Sequence, residues 1–176
     1  VFFLDPQVTI GKQPVPQKHP KTHKEPKHKE HCEQARPYVI EKRLATWSWQ
    51  DKLLVARTKT AYAERQINSC GYLRWQGHLW AGRANRYYEK YVELKQPDKA
   101  ICYIFGAYCS QALAVASCES HLSVYAQNGQ YLGLFQMGSS ERRIYGHGDT
   151  PLEQSVAAHK YFVDSGRDWS PWSCQP

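Results

Sequence analysis

Several chemistries lose their footing because the residues they need are missing. The six cysteines include no Cys-x-x-Cys pair, and no histidines cluster in the manner of a ligand set, so zinc finds no support. His19, His23, His28 and His31 recur irregularly among lysines, whose charge opposes a bound cation, and no metal or other cofactor is expected. There is no uninterrupted run of about 18 apolar residues, which excludes an obvious membrane span. The opening VFFLDPQ lacks a charged n-region and has too little apolar length for a signal peptide. On a secreted chain, Val1 is therefore expected to begin a mature or trimmed form.

What is present suits an extracytoplasmic globular protein. At 176 residues and 41% hydrophobic content, the chain can bury one ordinary core. Six cysteines in so short a chain are best explained as disulfides formed in an oxidising compartment. The net charge of +7 is uneven: 6 basic residues face 3 acidic ones in 1–31, 13 face 7 in 32–100, and 4 face 6 in 101–176. A basic N-terminal half attracts polyanions, among them anionic wall polymers and nucleic acid.

Composition divides the chain in three. Residues 1–35 hold five of the ten prolines and the string KHPKTHKEPKHKEH, which reads as a disordered basic tail. Residues 36–97 read as a helical arm. Ile40, Leu44 and Trp47 follow one helical stripe and Trp75, Leu79, Gly82 and Arg86 another, with a break at INSCGYL. Helices folded back on one another would bury Trp47, Trp49, Trp75 and Trp80. The rival reading, aromatics interleaved with Arg74, Arg83 and Arg86 as a single-strand nucleic-acid platform, is weaker because helical spacing already accounts for them. No nucleic-acid partner is expected.

Residues 98–176 begin with a short helical turn over 98–105, a break at Gly106, and a helix capped by Ser110. Ala112, Leu113, Val115 and Ala116 make that helix apolar almost all round, as in a buried helix. It ends at Glu119, where burial and the carboxyl end of a helix both disfavour an anion. Asn128-Gly129, flanked by Val124, Tyr125, Tyr131 and Leu132, predicts a hairpin just beyond. The string ERRIYGHGDT reads as a short polar connection, and a last helix is expected over 151–163 with Pro151 in its first turn. The fold class is thus mainly α with one small β-hairpin.

A carboxyl at a buried helix end, faced by a hairpin, suits proton delivery to a glycosidic oxygen. Hydrolases normally add a second carboxylate. Glu141 and Asp149 are the candidates, but the hairpin itself carries no acid, and one carboxylate is expected to work alone.

Cys118-Glu119-Ser120, Ala126-Gln127-Asn128-Gly129 and Gly133-Leu134-Phe135-Gln136-Met137, followed by Ala157-Ala158, Tyr161 and Trp172-Ser173-Cys174, form a recognisable set. With them, residues 101–176 resemble the lysozyme-like domain of lytic transglycosylases and the resuscitation-promoting-factor type of transglycosylase. The resemblance implies a lysozyme-like α+β catalytic domain acting on peptidoglycan glycan strands at the β-1,4 bond between N-acetylmuramic acid and N-acetylglucosamine. One glutamate, here Glu119, would serve as acid and then base while the muramoyl 6-hydroxyl attacks, giving a 1,6-anhydro product. Ser120 would set hydrogen bonds in the site, Gln136 would contact sugar, and Tyr161 would steady Glu119. Asn128 and Tyr131 on the hairpin, and Trp172 with Trp169, would contact or stack on sugars. His121 replaces the small residue many relatives carry after Glu-Ser.

The same comparison implies a disulfide from Cys118 to Cys174. Cys102 and Cys109 pair if Gly106 allows a turn, leaving Cys32 and Cys70, although six cysteines permit 15 connectivities. The expected protein is secreted or wall-associated. Its alternatives are a hydrolytic muramidase of the same fold and a non-catalytic wall-binding protein.

Overall fold

The computed structural model describes residues 32–60 and 69–176. Of the basic tail expected over 1–35, residues 1–31 with the four histidines lie outside the described residues, while 32–35 are helical and Ala35 is buried, so the helix begins before the expected boundary. The described chain is mainly helical, with one small antiparallel hairpin.

Helix α1 spans Cys32–Lys52 and α2 spans Cys70–Glu93. They pack side by side in the same direction. Tyr38 and Val39 lie against Gly77, Thr46 reaches the Trp80 carbonyl, Trp49 meets Tyr88 and Tyr91, and Leu53 clusters with Leu94. A parallel pair needs a long return, and the chain after α1 runs back along it. The Trp47 indole donates to the Thr58 carbonyl (2.9 Å), and the Gln50 amide exchanges two bonds with Thr58. The sequence expectation of helices folded back on each other is corrected on this point.

The buried faces also differ from the expected stripes. Ile40 and Leu44 are 40% and 54% exposed, Trp75 and Leu79 54% and 36%. The inward residues are Ala35, Val39, Thr46 and Gln50 on α1 and Leu53 just after it, with Leu73, Gln76, Gly77, Trp80 and Ala84 on α2. Apolar periodicity misleads here because polar and small residues occupy the contact. The Thr46 hydroxyl lies between the Lys42 and Trp80 carbonyls, and Gln76 donates to the Tyr72 hydroxyl, so burial leaves these groups bonded. Gly77 permits close approach, since a Cβ there would lie 2.5 Å from the Tyr38 ring. Of the four tryptophans expected between the helices, Trp80 is fully buried, Trp47 and Trp49 are half-buried and Trp75 is exposed. With Trp80 sealed, that ring offers no face for a base to stack on.

Helix α3, Pro97–Phe105, opens with proline at its first position, where the missing N–H costs nothing. A 3-10 turn, Gly106–Tyr108, leads into α4, Cys109–Ser120. The segment Pro97–Ser120 is long and apolar enough by composition to cross a membrane. It is bent at Gly106 (φ 53°), bridged by the Cys102–Cys109 disulfide, and its two helices pack on each other. Helix α4 is not buried all round: Ala112, Val115, Ala116 and Ser120 face the core, while Ser110, Gln111, Ala114, Ser117 and Cys118 are exposed. Ser110 is not the cap, because the 3-10 turn already supplies the helix entry and α4 begins one residue earlier.

Strands β1 (Gln127–Asn128) and β2 (Tyr131–Leu132) pair antiparallel across the two-residue loop Gly129-Gln130, with Asn128 opposite Tyr131 and Gly129 at φ 60° as the tight turn requires. The polar string beyond is not a plain connection but carries helix α5, Ser139–Tyr145. Helix α6, Pro151–Asp164, starts with a capping box in which Thr150 and Glu153 bond each other's backbone N–H. Helices α3, α4 and α6 enclose the main core, in which Ile101, Phe105, Val115, Leu134, Phe135, Phe162 and Trp169 pack together. Each such aromatic or aliphatic side chain contributes about 1.5–3 kcal/mol by leaving water.

Candidate active site

The end of α4 is where the chain turns from core to cleft. Its last buried residue, Ser120, places its hydroxyl between the carbonyls of Ala116 (3.0 Å) and Leu134 (2.8 Å). This pins the string 133–137 onto the helix. Ser120 is therefore a scaffold residue, buried beneath the site and not among the cavity's lining residues. His121 and Leu122 then both adopt left-handed conformations (φ 54° and 60°), which turn the backbone sharply away. Two adjacent non-glycine residues there mark a site of stored strain, a habit of functional regions.

Glu119 precedes this turn and lines a cavity of about 420 Å³. The backbone N–H of Cys174 donates to its Oε1 at 2.9 Å. That donor is brought 55 residues along the chain by the Cys118–Cys174 disulfide, whose Cα atoms lie 5.9 Å apart. The tail that crosses here also contributes Pro171, Trp172 and Ser173 to the lining. Cys70 is disulfide-bonded as well. The disulfides point to an extracytoplasmic setting.

The hairpin forms the facing wall, contributing Asn128, Gln130 and Tyr131. It is held by α5: Arg142 donates to the carbonyls of Gln130 and Met137, and the Ser139 hydroxyl bonds the Gln130 side chain at 2.9 Å. Gln136, left-handed at φ 42°, lines the cavity, but its amide nitrogen is committed to the carbonyls of Ala126 (3.1 Å) and Gly133 (3.0 Å). Its first task is to shape the loop beneath the hairpin.

Tyr161 and Trp172 form the remaining side, with ring centroids 5.0 Å apart. Burial, then the nearby Glu141 carboxylate, push the Tyr161 phenol up from its usual range. Tyr145 stacks on Tyr161 and donates to Asp164 at 2.6 Å. That bond, with lesser help from desolvation, pushes the Tyr145 phenol up to about 12. No hydrogen bond joins Tyr161 to Glu119 among the described residues. The Trp172 indole donates to the Phe135 carbonyl (3.0 Å), leaving only part of the ring to the cavity. Trp169 is a core residue bonded to Gln111, and neither it nor His121 lines the cavity.

The structure brings one of the two candidate second carboxylates to this place. Glu141, in the first turn of α5, lines the same cavity as Glu119, and its carboxylate lies over Gly138, where a Cβ would collide with it. Asp149, the other acid considered from sequence, lines a different cavity. Reading ERRIYGHGDT as a connection gave no reason to prefer Glu141 over Asp149, because it is the helix starting at Ser139 that sets the Glu141 side chain over Gly138.

Gln154 ties these parts together. Buried in α6, it accepts from the Leu134 N–H (2.9 Å) and donates towards the carbonyls of Val124 (3.1 Å) and Gly148 (3.2 Å). Gly133, at φ 76°, has no room for a Cβ against this side chain. Gly133→Ala is expected to destabilise the protein by roughly 2–3 kcal/mol, combining the left-handed penalty with the clash. Urea unfolding of the two proteins measures it, and an unchanged midpoint would show that Gln154 yields freely.

No protein-family model, curated protein or solved structure matches the chain.

Proposed function

We propose that this protein cleaves peptidoglycan glycan strands at the β-1,4 bond between N-acetylmuramic acid and N-acetylglucosamine, with Glu119 as acid and then base. The observation that carries the reading is the Glu119 carboxylate, fixed by the Cys174 N–H in a polar cavity walled by a hairpin and two aromatic rings. The resemblance of residues 101–176 to lytic transglycosylases supports it. So does the cavity's size, which lies in the range of ligand-binding clefts. With Oε1 accepting an N–H, the transferable proton belongs on Oε2. It passes to the glycosidic oxygen as the C1–O bond breaks, freeing the 4-hydroxyl of the leaving sugar. Glu119 then takes the proton of the muramoyl 6-hydroxyl as that oxygen bonds C1, closing the 1,6-anhydro ring. Proton and charge balance without a second acid. The protein acts outside the cytoplasm as a secreted or wall-associated enzyme, and its basic N-terminal half attracts anionic wall polymers.

Digestion of purified peptidoglycan, with mass analysis of the fragments, tests this. Anhydro-muramoyl ends are expected, lighter by one water than hydrolytic products. Binding to walls without release of fragments would instead identify a non-catalytic wall-binding protein.

A second reading, hydrolysis by water, is favoured by one observation: Glu141 shares the cavity with Glu119. Two carboxylates flanking one bond are the usual equipment of a hydrolase. Glu141→Gln separates the two. Under the lyase reading, turnover falls by less than about tenfold and the products keep anhydro ends. A loss of ~10²-fold or more, from an enzyme making reducing ends, assigns Glu141 as the base that activates water.

A further inference from the structure

A second cavity, of about 430 Å³, opens where the helical arm meets the hairpin region. One wall is cationic and aromatic. Lys52 lies 4.2 Å from the Trp49 ring centroid and 5.4 Å from that of Tyr91, and Lys95 lies 5.2 Å from Tyr91. Among the described residues neither lysine has a carboxylate within 4.0 Å, whereas Lys42, Lys90 and Lys99 each do. The opposite wall is the segment 122–125 with Leu152, and Asp149 stands at its edge. Two ammonium groups, one carboxylate, and apolar and aromatic surface therefore converge on one space.

This cavity is mechanically joined to the first. Leu122 follows Glu119 by three residues, so their Cα atoms are at most ~11 Å apart. Val124 is clamped by Gln154, which also holds Leu134 in the string beneath the hairpin. The segment that lines this cavity at 122–125 continues into Asn128, Gln130 and Tyr131, which line the Glu119 cavity.

We propose that this second cavity is a subsite for the peptide branch that peptidoglycan carries on its muramoyl residues. The inference rests on the proposed substrate class. Such a branch has carboxylates for Lys52 and Lys95, an amino group for Asp149, and small apolar side chains for Leu94, Leu122 and Val124. It is also covalently attached to the sugar whose bond is cut, which brings it to this distance. A phosphodiester polymer would match the lysines but would meet Asp149 and the apolar wall without gain.

The test compares glycan chains bearing their peptides with chains stripped of them by an amidase, using the full-length protein and Lys52→Ala/Lys95→Ala. The wild type is expected to show a KM about 3–10-fold lower for peptide-bearing chains, as two partly exposed charge pairs supply. In the double variant the ratio falls to about 1, and raised salt narrows it in the wild type. Equal KM values for the two substrates in the wild type, or a ratio unchanged in the variant, overturn the subsite while leaving the cleavage reading intact. If neither chain is cleaved, the cleavage reading fails, and equilibrium binding of the same two chains decides the subsite separately. A peptide-dependent affinity lost in the double variant supports it, and equal affinities overturn it.

Discussion

Glu119→Gln is expected to lower the release of soluble fragments from purified peptidoglycan by ~10²–10⁴-fold, the usual worth of a positioned general acid. The substitution is close to isosteric. Its side-chain carbonyl can still accept the Cys174 N–H, so the tail that crosses the cavity stays in place. Ser120, which anchors the next stretch, bonds through its own hydroxyl and is untouched. What disappears is the proton that must reach the glycosidic oxygen. Circular dichroism and thermal melting should match the wild type, and the rate of fragment release should not. A glutamine variant that clears peptidoglycan at near wild-type rate would remove Glu119 from the mechanism.

The second large effect concerns the Cys118–Cys174 bond. It closes a separation of 56 residues, and a loop of that length restricts the unfolded chain by roughly 4 kcal/mol in the chain-entropy model. For a domain of this size the double variant Cys118→Ser/Cys174→Ser should lose on the order of 8–16 °C in Tm. Changing both residues avoids leaving a reactive thiol. Activity should fall as well, because the same tail carries the N–H that holds Glu119 and three residues of the cavity wall. Trp169 and Trp172 still pack into the core without the bridge, so folding itself should survive. Thermal melting under oxidising conditions measures the loss. An unchanged Tm, or free Cys118 and Cys174 thiols in mapped peptides of the wild type, would sink the prediction.

Legibility from sequence was highest where local chemistry decides alone. The turn after Asn128 is a hairpin because its two-residue loop needs a left-handed residue first, and Gly129 supplies it at φ 60°. Helix α6 begins at Pro151 because the proline and the Thr150–Glu153 box both specify an entry there. Glu119 stands at a helix end because the apolar run of α4 stops at it. Helix α5 was missed, since seven residues with two arginines carry too little apolar pattern to announce a helix.

The arm shows the same division. That residues 36–97 form helices is written in their composition, but which faces meet is not. The contact uses Thr46 and Gln50, bonded by other segments, Gln76, bonded to Tyr72 one turn earlier on its own helix, and Gly77, which fits against Tyr38. Hydrophobic periodicity cannot register such residues, so the exposed Ile40–Leu44 and Trp75–Leu79 stripes looked like the core.

By itself, then, the sequence determined the helical class, the hairpin, the disulfide setting and the position of one acid at the end of a core helix. Each depends on residues adjacent in the chain, or on composition. Tertiary structure alone decided that Glu141 shares the cavity with Glu119, that Ser120 and the Gln136 amide nitrogen brace the scaffold, and that Lys52 and Lys95, against Trp49 and Tyr91, line a second cavity with no carboxylate within 4.0 Å among the described residues. These facts depend on where segments from about 10 to about 70 residues apart come to rest. Hydrogen bonds such as Gln154 to Leu134 and Cys174 to Glu119 set that placement, and no local propensity encodes it.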